Sequence, residues 1–235
     1  MTSFQKFIKY CAIALAAVII VSIVGGAAWG ISAIVGLADG VQRGEYEGAD
    51  GDMNRYSVSG DITAVIIDVS AARICVGTGE TLSLESTISD LTVKNDGGRL
   101  VIKDKKHIIY NNSNKNTVDL TLPEGITLDE LDIDGGAGRL VIDGCDITDL
   151  DFDMGTGKAV LDCRLSGDCS IDQGVGALEL TLRGAPDDYR IKLDKGIGSA
   201  RLGGSGVGDG TYGSGACTVD LDGGIGSMII DFAED

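Results

Sequence analysis

The chain has 235 residues, 36 of them glycine and only two proline, and a formal net charge of −17, which suits one repetitive body with an anchor better than two ordinary domains. The first 38 residues hold two basic residues, Lys6 and Lys9, and no acid, so the 17 remaining basic residues face all 36 acids and the body carries −19. A body of that sign repels phosphate backbones and anionic headgroups, which argues against nucleic-acid binding and peripheral membrane adsorption and favours cations or basic partners.

From Tyr10 to Ala38 the sequence runs 29 residues without a charge, more than the roughly 20 needed to cross a bilayer core. Lys6 and Lys9 precede this stretch, and Asp39, Glu45, Glu47, Asp50 and Asp52 follow it with only Arg43 as a nearby base. The positive-inside rule then predicts a cytoplasmic N-terminus at residues 1–9, a signal-anchor helix over 10–38 in the lipid bilayer, a polar linker over 39–60 and an extracytoplasmic body over 61–235. The alternative is a cleaved signal peptide, but such apolar regions run only about 7 to 15 residues, and here the apolar character continues through Trp29, Ile31, Ile34, Val35 and Leu37. Cys11 does not suit a lipoprotein site, because it precedes the apolar core and follows Lys9-Tyr10.

Residues 61–122 alternate apolar and polar side chains over Ile62 to Val69, Leu82 to Ile88, Leu91 to Val93, Leu100 to Ile102 and Val118 to Leu122, with turns at Asn95-Asp96-Gly97-Gly98 and in the polar run Asn111 to Asn116. These read as broad strands that begin and cap the body. Downstream the sequence repeats itself. The segment Leu131 to Asp143, with Ile133-Asp134-Gly135-Gly136-Ala137-Gly138, recurs at Leu150 to Asp162, Cys169 to Leu180, Ile191 to Leu202 and Val219 to Ile230. The first glycines of the Gly-x-Gly pairs fall at 136, 155, 174, 196 and 224, giving spacings of 19, 19, 22 and 28. A period near 20 predicts an all-β, β-solenoid-like stack. Each unit is a strand, a glycine corner and a second strand; one unit is too small to bury its apolar side, but stacked at about 4.8 Å the units would align Ile133, Phe152, Ile171, Leu193 and Leu221 in an internal column. The long final spacings follow from an insertion, Gly203 to Gly210, read as an exposed flexible loop.

The N-terminal span, Gly98-Arg99-Leu100-Val101-Ile102-Lys103, Val118-Asp119-Leu120-Thr121-Leu122-Pro123, Leu128 to Ile133 and the Gly-x-Gly units together resemble the bacterial β-strand-repeat proteins labelled "putative adhesin", a domain of unknown function. The resemblance covers residues 60–235. It implies a β-solenoid-like fold on the outer face of a bacterial, often Gram-positive, membrane, with some relatives linked to envelope-stress systems. Adhesion is that family's label, and the family supplies no catalytic residues.

Five aspartates, Asp134, Asp153, Asp172, Asp194 and Asp222, hold equivalent places in the repeats, with Asp132, Asp151 and Asp220 two residues earlier. Stacked carboxylates about 5 Å apart repel, so they either face solvent or collect cations. Asp149, Asp151 and Asp153 alternate like part of a calcium loop, but Met154 stands where such a loop needs glycine and no glutamate closes it. The glycine-rich calcium repeat of secreted toxins is also unmatched. Gly155-Thr156-Gly157-Lys158 lacks the first glycine of a phosphate loop, and Ala159 replaces its Ser or Thr. His107, in Lys105-Lys106-His107, is the sole histidine, too little for a nucleophile-histidine-acid triad. Outside Cys11 the cysteines are Cys75, Cys145, Cys163, Cys169 and Cys217, an odd set without zinc spacing; Cys145 and Cys163, 18 apart, are either neighbours on adjacent coils or buried thiols.

The sequence thus predicts a non-enzymatic, single-pass cell-envelope protein presenting an acidic β-solenoid to a protein or surface-polymer partner, with no cofactor and no catalytic or metal set. The alternative is an extracytoplasmic calcium-binding sensor or scaffold built on the aspartate columns. An enzyme acting on glycans through paired carboxylates ranks third, because acids this repetitive single out no pair.

Overall fold

Alternating apolar side chains make almost the whole body extended. The computed structural model describes residues 53–104 and 116–234, and these residues are nearly all β. The strands are β1 (Asn54–Tyr56), β2 (Ala64–Gly79), β3 (Ser83–Ser86), β4 (Thr92–Asp96), β5 (Arg99–Lys103), β6 (Thr117–Pro123), β7 (Thr127–Leu165), β8 (Asp168–Arg183), β9 (Tyr189–Asp194), β10 (Ile197–Leu202), β11 (Ser205–Val207), β12 (Gly210–Tyr212) and β13 (Cys217–Ala233). Among the described residues a single 3-10 turn, Pro186–Asp188, interrupts them. The predicted span at 10–38, Cys11 and His107 lie outside the described residues, and among the described residues no helix is long and apolar enough to cross a membrane. β1 falls inside the stretch read as linker; it pairs with β3, and the Tyr56 hydroxyl donates to the Ile88 carbonyl at 2.8 Å.

All strands join one open 13-stranded sheet, in the order β1-β3-β6-β2-β7-β8-β13-β10-β11, with β5 also on β2 and β9 also on β13. The long strands pair in parallel, one repeat on the next. Phe152 faces Ile171, Leu221 faces Ile171, and Leu193 faces Leu221. Buried side chains change phase at the glycine corner, from Leu131 and Ile133 before it to Leu140 and Ile142 after it. Both arms of a unit therefore turn their apolar side to the same interior, which is filled by Phe152, Ile171, Leu178 and Leu221, all fully buried. The 39-residue β7 supplies two successive layers.

The order of layers departs from the order of the chain. The sequence predicts Leu193 before Leu221 in the column; instead β13, the last unit, inserts between β8 and the β9/β10 layer. The first long strand is likewise internal, with β5 and β6 on one side of β2 and β7 on the other. Both ends of the chain's repeat region are thereby paired on two sides, and short antiparallel strands occupy the outside: β1, β3 and β4 at one end, β11 and β12 at the other. Short antiparallel edges blunt the unpaired backbone that a long parallel edge would offer. The insertion read as a flexible loop is part of this device: Gly203 and Gly204 form its turn, β11 pairs with β10, and Gly210 starts β12 against β9.

β2 is itself a repeat unit that the sequence conceals. Ile67, Asp68, Arg73 and Ile74 pair with Ile133, Asp134, Arg139 and Leu140, so Ser70-Ala71-Ala72 stands where later units have Gly-x-Gly. Each corner glycine is needed because its Cβ would point at the carbonyl of the preceding layer. A Cβ on Gly155 would lie 2.6 Å from the Gly136 oxygen, and one on Gly136 would overlap the Ser70 oxygen. Side chains instead of another glycine corner serve β2. Asp104 accepts the Ser70 backbone N–H at 2.9 Å and its hydroxyl at 3.1 Å, and Asn116 donates to the Ala71 carbonyl at 3.0 Å. At the opposite end Asp209 accepts the Lys195 N–H and Asp194 the Gly196 N–H, each at 3.0 Å.

Candidate functional site: a carboxylate ladder on one face

Because side chains alternate along a strand, the residue before each corner interior faces outward, and in-register pairing aligns it with its equivalents. The structure brings all five predicted aspartates together, in the spatial order Asp134, Asp153, Asp172, Asp222, Asp194. Asp68 extends the ladder beyond Asp134 to six layers. It was not singled out in the sequence because its unit lacks the glycine pair; the Ile67-Asp68 step with Arg73 five residues later, matching Ile133-Asp134 and Arg139, is the signal that identifies it. Two residues earlier a second column runs Asp132, Asp151, Ser170, Asp220, Lys192.

Lysines meet this array at its two ends, Lys103 with Asp68 at 3.5 Å and Lys192 with Asp220 at 3.2 Å. Between them two carboxyls, Asp172 and Asp132, are held above their ordinary values. Partial burial, then Asp222 and Asp153, push the Asp172 carboxyl above its ordinary value. Partial burial, Asp151 and Glu130 do the same to Asp132, against the opposing pull of Lys103. The face therefore holds negative charge against its own repulsion and draws cationic groups to it.

The spacing is that of a strand and not of an ion cage. Asp149, Asp151 and Asp153 lie along extended β7, and Asp149 accepts the Asp168 N–H at 3.2 Å, tying β7 to the start of β8. Among the described residues no three His, Cys, Asp or Glu side chains converge on a point that could hold a metal ion. Lys158, the lysine of the phosphate-loop-like segment, pairs with Glu179 at 2.7 Å.

The five described cysteines are free, Cys145, Cys163, Cys169 and Cys217 buried and Cys75 half-buried. Burial pushes the Cys145 thiol up to about 11 and raises Cys163, whose thiol also feels Cys145 beside it. The Cys169 thiol donates to the Thr148 carbonyl at 3.7 Å and lies beside Cys217, a neighbourhood that no sequence spacing indicates, since it follows from the insertion of β13 beside β8.

No protein-family model matches the sequence, and no curated protein sequence does. Among solved structures the chain is similar to a "putative cell adhesion protein" from Clostridium sporogenes ATCC 15579, with 19% identity over 77% of this chain and 99% of that one and a TM-score of 0.60. A second, a "putative adhesin" from Bacteroides fragilis NCTC 9343, aligns at 17% identity over 76% of this chain and 96% of that one with a TM-score of 0.35. The body of this chain shares its fold with the clostridial protein.

Proposed function

We propose that the chain is a non-enzymatic, membrane-anchored cell-envelope protein whose extracytoplasmic body is an acidic β-solenoid presented for contact with a protein or surface polymer. The carboxylate ladder is the observation that carries this reading. The registers that align Asp134, Asp153, Asp172, Asp222 and Asp194 are set by the buried column beside them, and a neutral polar residue would serve the strand equally. At Asp172 partial burial and the charges of Asp222 and Asp153 oppose its ionisation. A surface that works against its own stability in this way is explained by what it attracts. The layered parallel pairing supports the solenoid, and the fold shared with a protein named a "putative cell adhesion protein" supports contact as the role. The uncharged stretch 10–38 with lysines before it and acids after it supports the anchor.

The test is retention of liposomes carrying the full chain on surfaces coated with bacterial cell-wall polymers or extracellular proteins. Retention above empty liposomes, reduced when Asp153, Asp172 and Asp222 are all changed to Asn, is the expected result. Equal retention of loaded and empty liposomes on every surface would sink the reading. A melting temperature raised by many degrees in millimolar calcium would instead make the ladder a cation sensor.

A further inference from the structure

The middle residue of each corner stands between two glycines, and along the stack this position changes character. In spatial order it is Ala137, Thr156, Val175, Ile225 and Ile197. Ile197 is 73% exposed and Ile225 37%, and with Met53 they are the exposed large apolar side chains among the described residues. The corner does not require them, since Ala137 and Thr156 fill the same place in earlier layers. Water-facing isoleucines stacked on a floor of glycine backbone form an apolar ridge with no role in the core.

The ridge has a charged border. Asp172, Asp222 and Asp194 lie three residues before Val175, Ile225 and Ile197, so the ladder runs beside it. Two residues after the ridge, the flank is Ala177, Ser227 and Ser199 where it is aliphatic, but Arg139 and Lys158 where it is Ala137 and Thr156. Aliphatic side chains thus coincide with acids on one side and small residues on the other, with Lys195 as a base at the Ile197 corner. Lys195 shows what such a surface accepts: its Nζ donates to the Gly198 carbonyl at 3.4 Å, laying an ammonium against the corner. A second copy of this chain, whose body carries −19, and an anionic polymer are both repelled by that border.

We infer that the corner from Val175 to Ile197, bordered by Asp172, Asp222 and Asp194, docks a basic segment of a partner protein that carries aliphatic side chains. This rests on the contact reading above and names its partner. The aliphatic side chains of the segment cover the isoleucines, and its ammonium or guanidinium groups meet the ladder and the corner carbonyls.

The test uses the full chain in neutral phosphatidylcholine vesicles and three labelled octapeptides: alternating lysine–valine, oligolysine and alternating glutamate–valine, with empty vesicles subtracted. The lysine–valine peptide should bind the wild type, weaken about tenfold or more in Ile197→Thr/Ile225→Thr, and weaken in high salt. Threonine is a residue this corner already holds at Thr156, so the variant keeps its β signal and melting temperature. Equal binding to wild type and variant, equal binding of the glutamate–valine peptide, or no binding of any peptide would overturn the inference. Surface retention of the liposomes that survives Ile197→Thr/Ile225→Thr unchanged also overturns it while leaving the contact reading standing.

Discussion

Gly157 lies so close over Gly138 that a Cβ on Gly157 would overlap the Gly138 carbonyl oxygen. The same relation recurs from layer to layer, Gly176 over Gly157 and Gly226 over Gly176. The Gly-x-Gly pattern is therefore a record of which units have another unit beneath their corner.

Gly157 also has φ +145, a conformation that side-chain-bearing residues avoid. Gly157→Ala is expected to destabilise the body by about 2–4 kcal/mol in urea unfolding, from overlap and backbone strain together. Gly206 has open space around it and no positive φ, so Gly206→Ala should be neutral to slightly stabilising. Equal effects of the two substitutions would mean that the corner does not carry the stacking constraint.

Asp104 is 8% exposed and closes the β2 corner through two hydrogen bonds from Ser70. Asp104→Ala should cost about 1–3 kcal/mol, because the Ser70 N–H is left without its acceptor. Asp104→Asn keeps a carbonyl oxygen and should recover part of the loss, and Ser70→Ala, which removes only the hydroxyl contact, should cost less than Asp104→Ala. Chemical denaturation of the three variants gives this order; a neutral Asp104→Ala would remove the cap from the account of the fold.

The raised pKa of Asp172 fixes the sign of a pH effect. A carboxyl whose folded pKa lies above its unfolded value binds its proton more tightly when folded, so its charge opposes folding at neutral pH. That opposition fades as pH falls through the raised folded pKa and is gone below the unfolded value near 3.8. Asp172→Asn should therefore melt higher than wild type at pH 7, with the gap closing on acidification into that range. A gap that widens on acidification would reverse the sign assigned to burial and repulsion at Asp172.

Much of this arrangement is legible in the residues. The alternation of Leu131, Ile133 and their equivalents marks the strands, and the aspartates one residue after each inward side chain mark the ladder. The unit at Ala64–Gly79 escaped because the glycine signature reports a neighbouring layer's backbone and not the unit itself; at β2 that neighbour is replaced by Asp104 and Asn116. The insertion at Gly203 to Gly210 reads as a loop because glycines dominate it, but the open edges of β9 and β10 supply the hydrogen-bond partners that make strands of its ends.

Composition, period and alternation by themselves determined an acidic all-β body of stacked units with glycine corners and outward carboxylates, because each of these is a property of one unit or of its next copy along the chain. Tertiary structure alone decided the order of the layers, with β13 between β8 and β9/β10, and with it the Cys169–Cys217 contact, the Asp222–Asp194 step and the Ile225–Ile197 ridge. Parallel pairing tolerates several orders of similar units, and the one adopted pairs the long strands on both sides and, among the described residues, leaves short antiparallel strands at the edges.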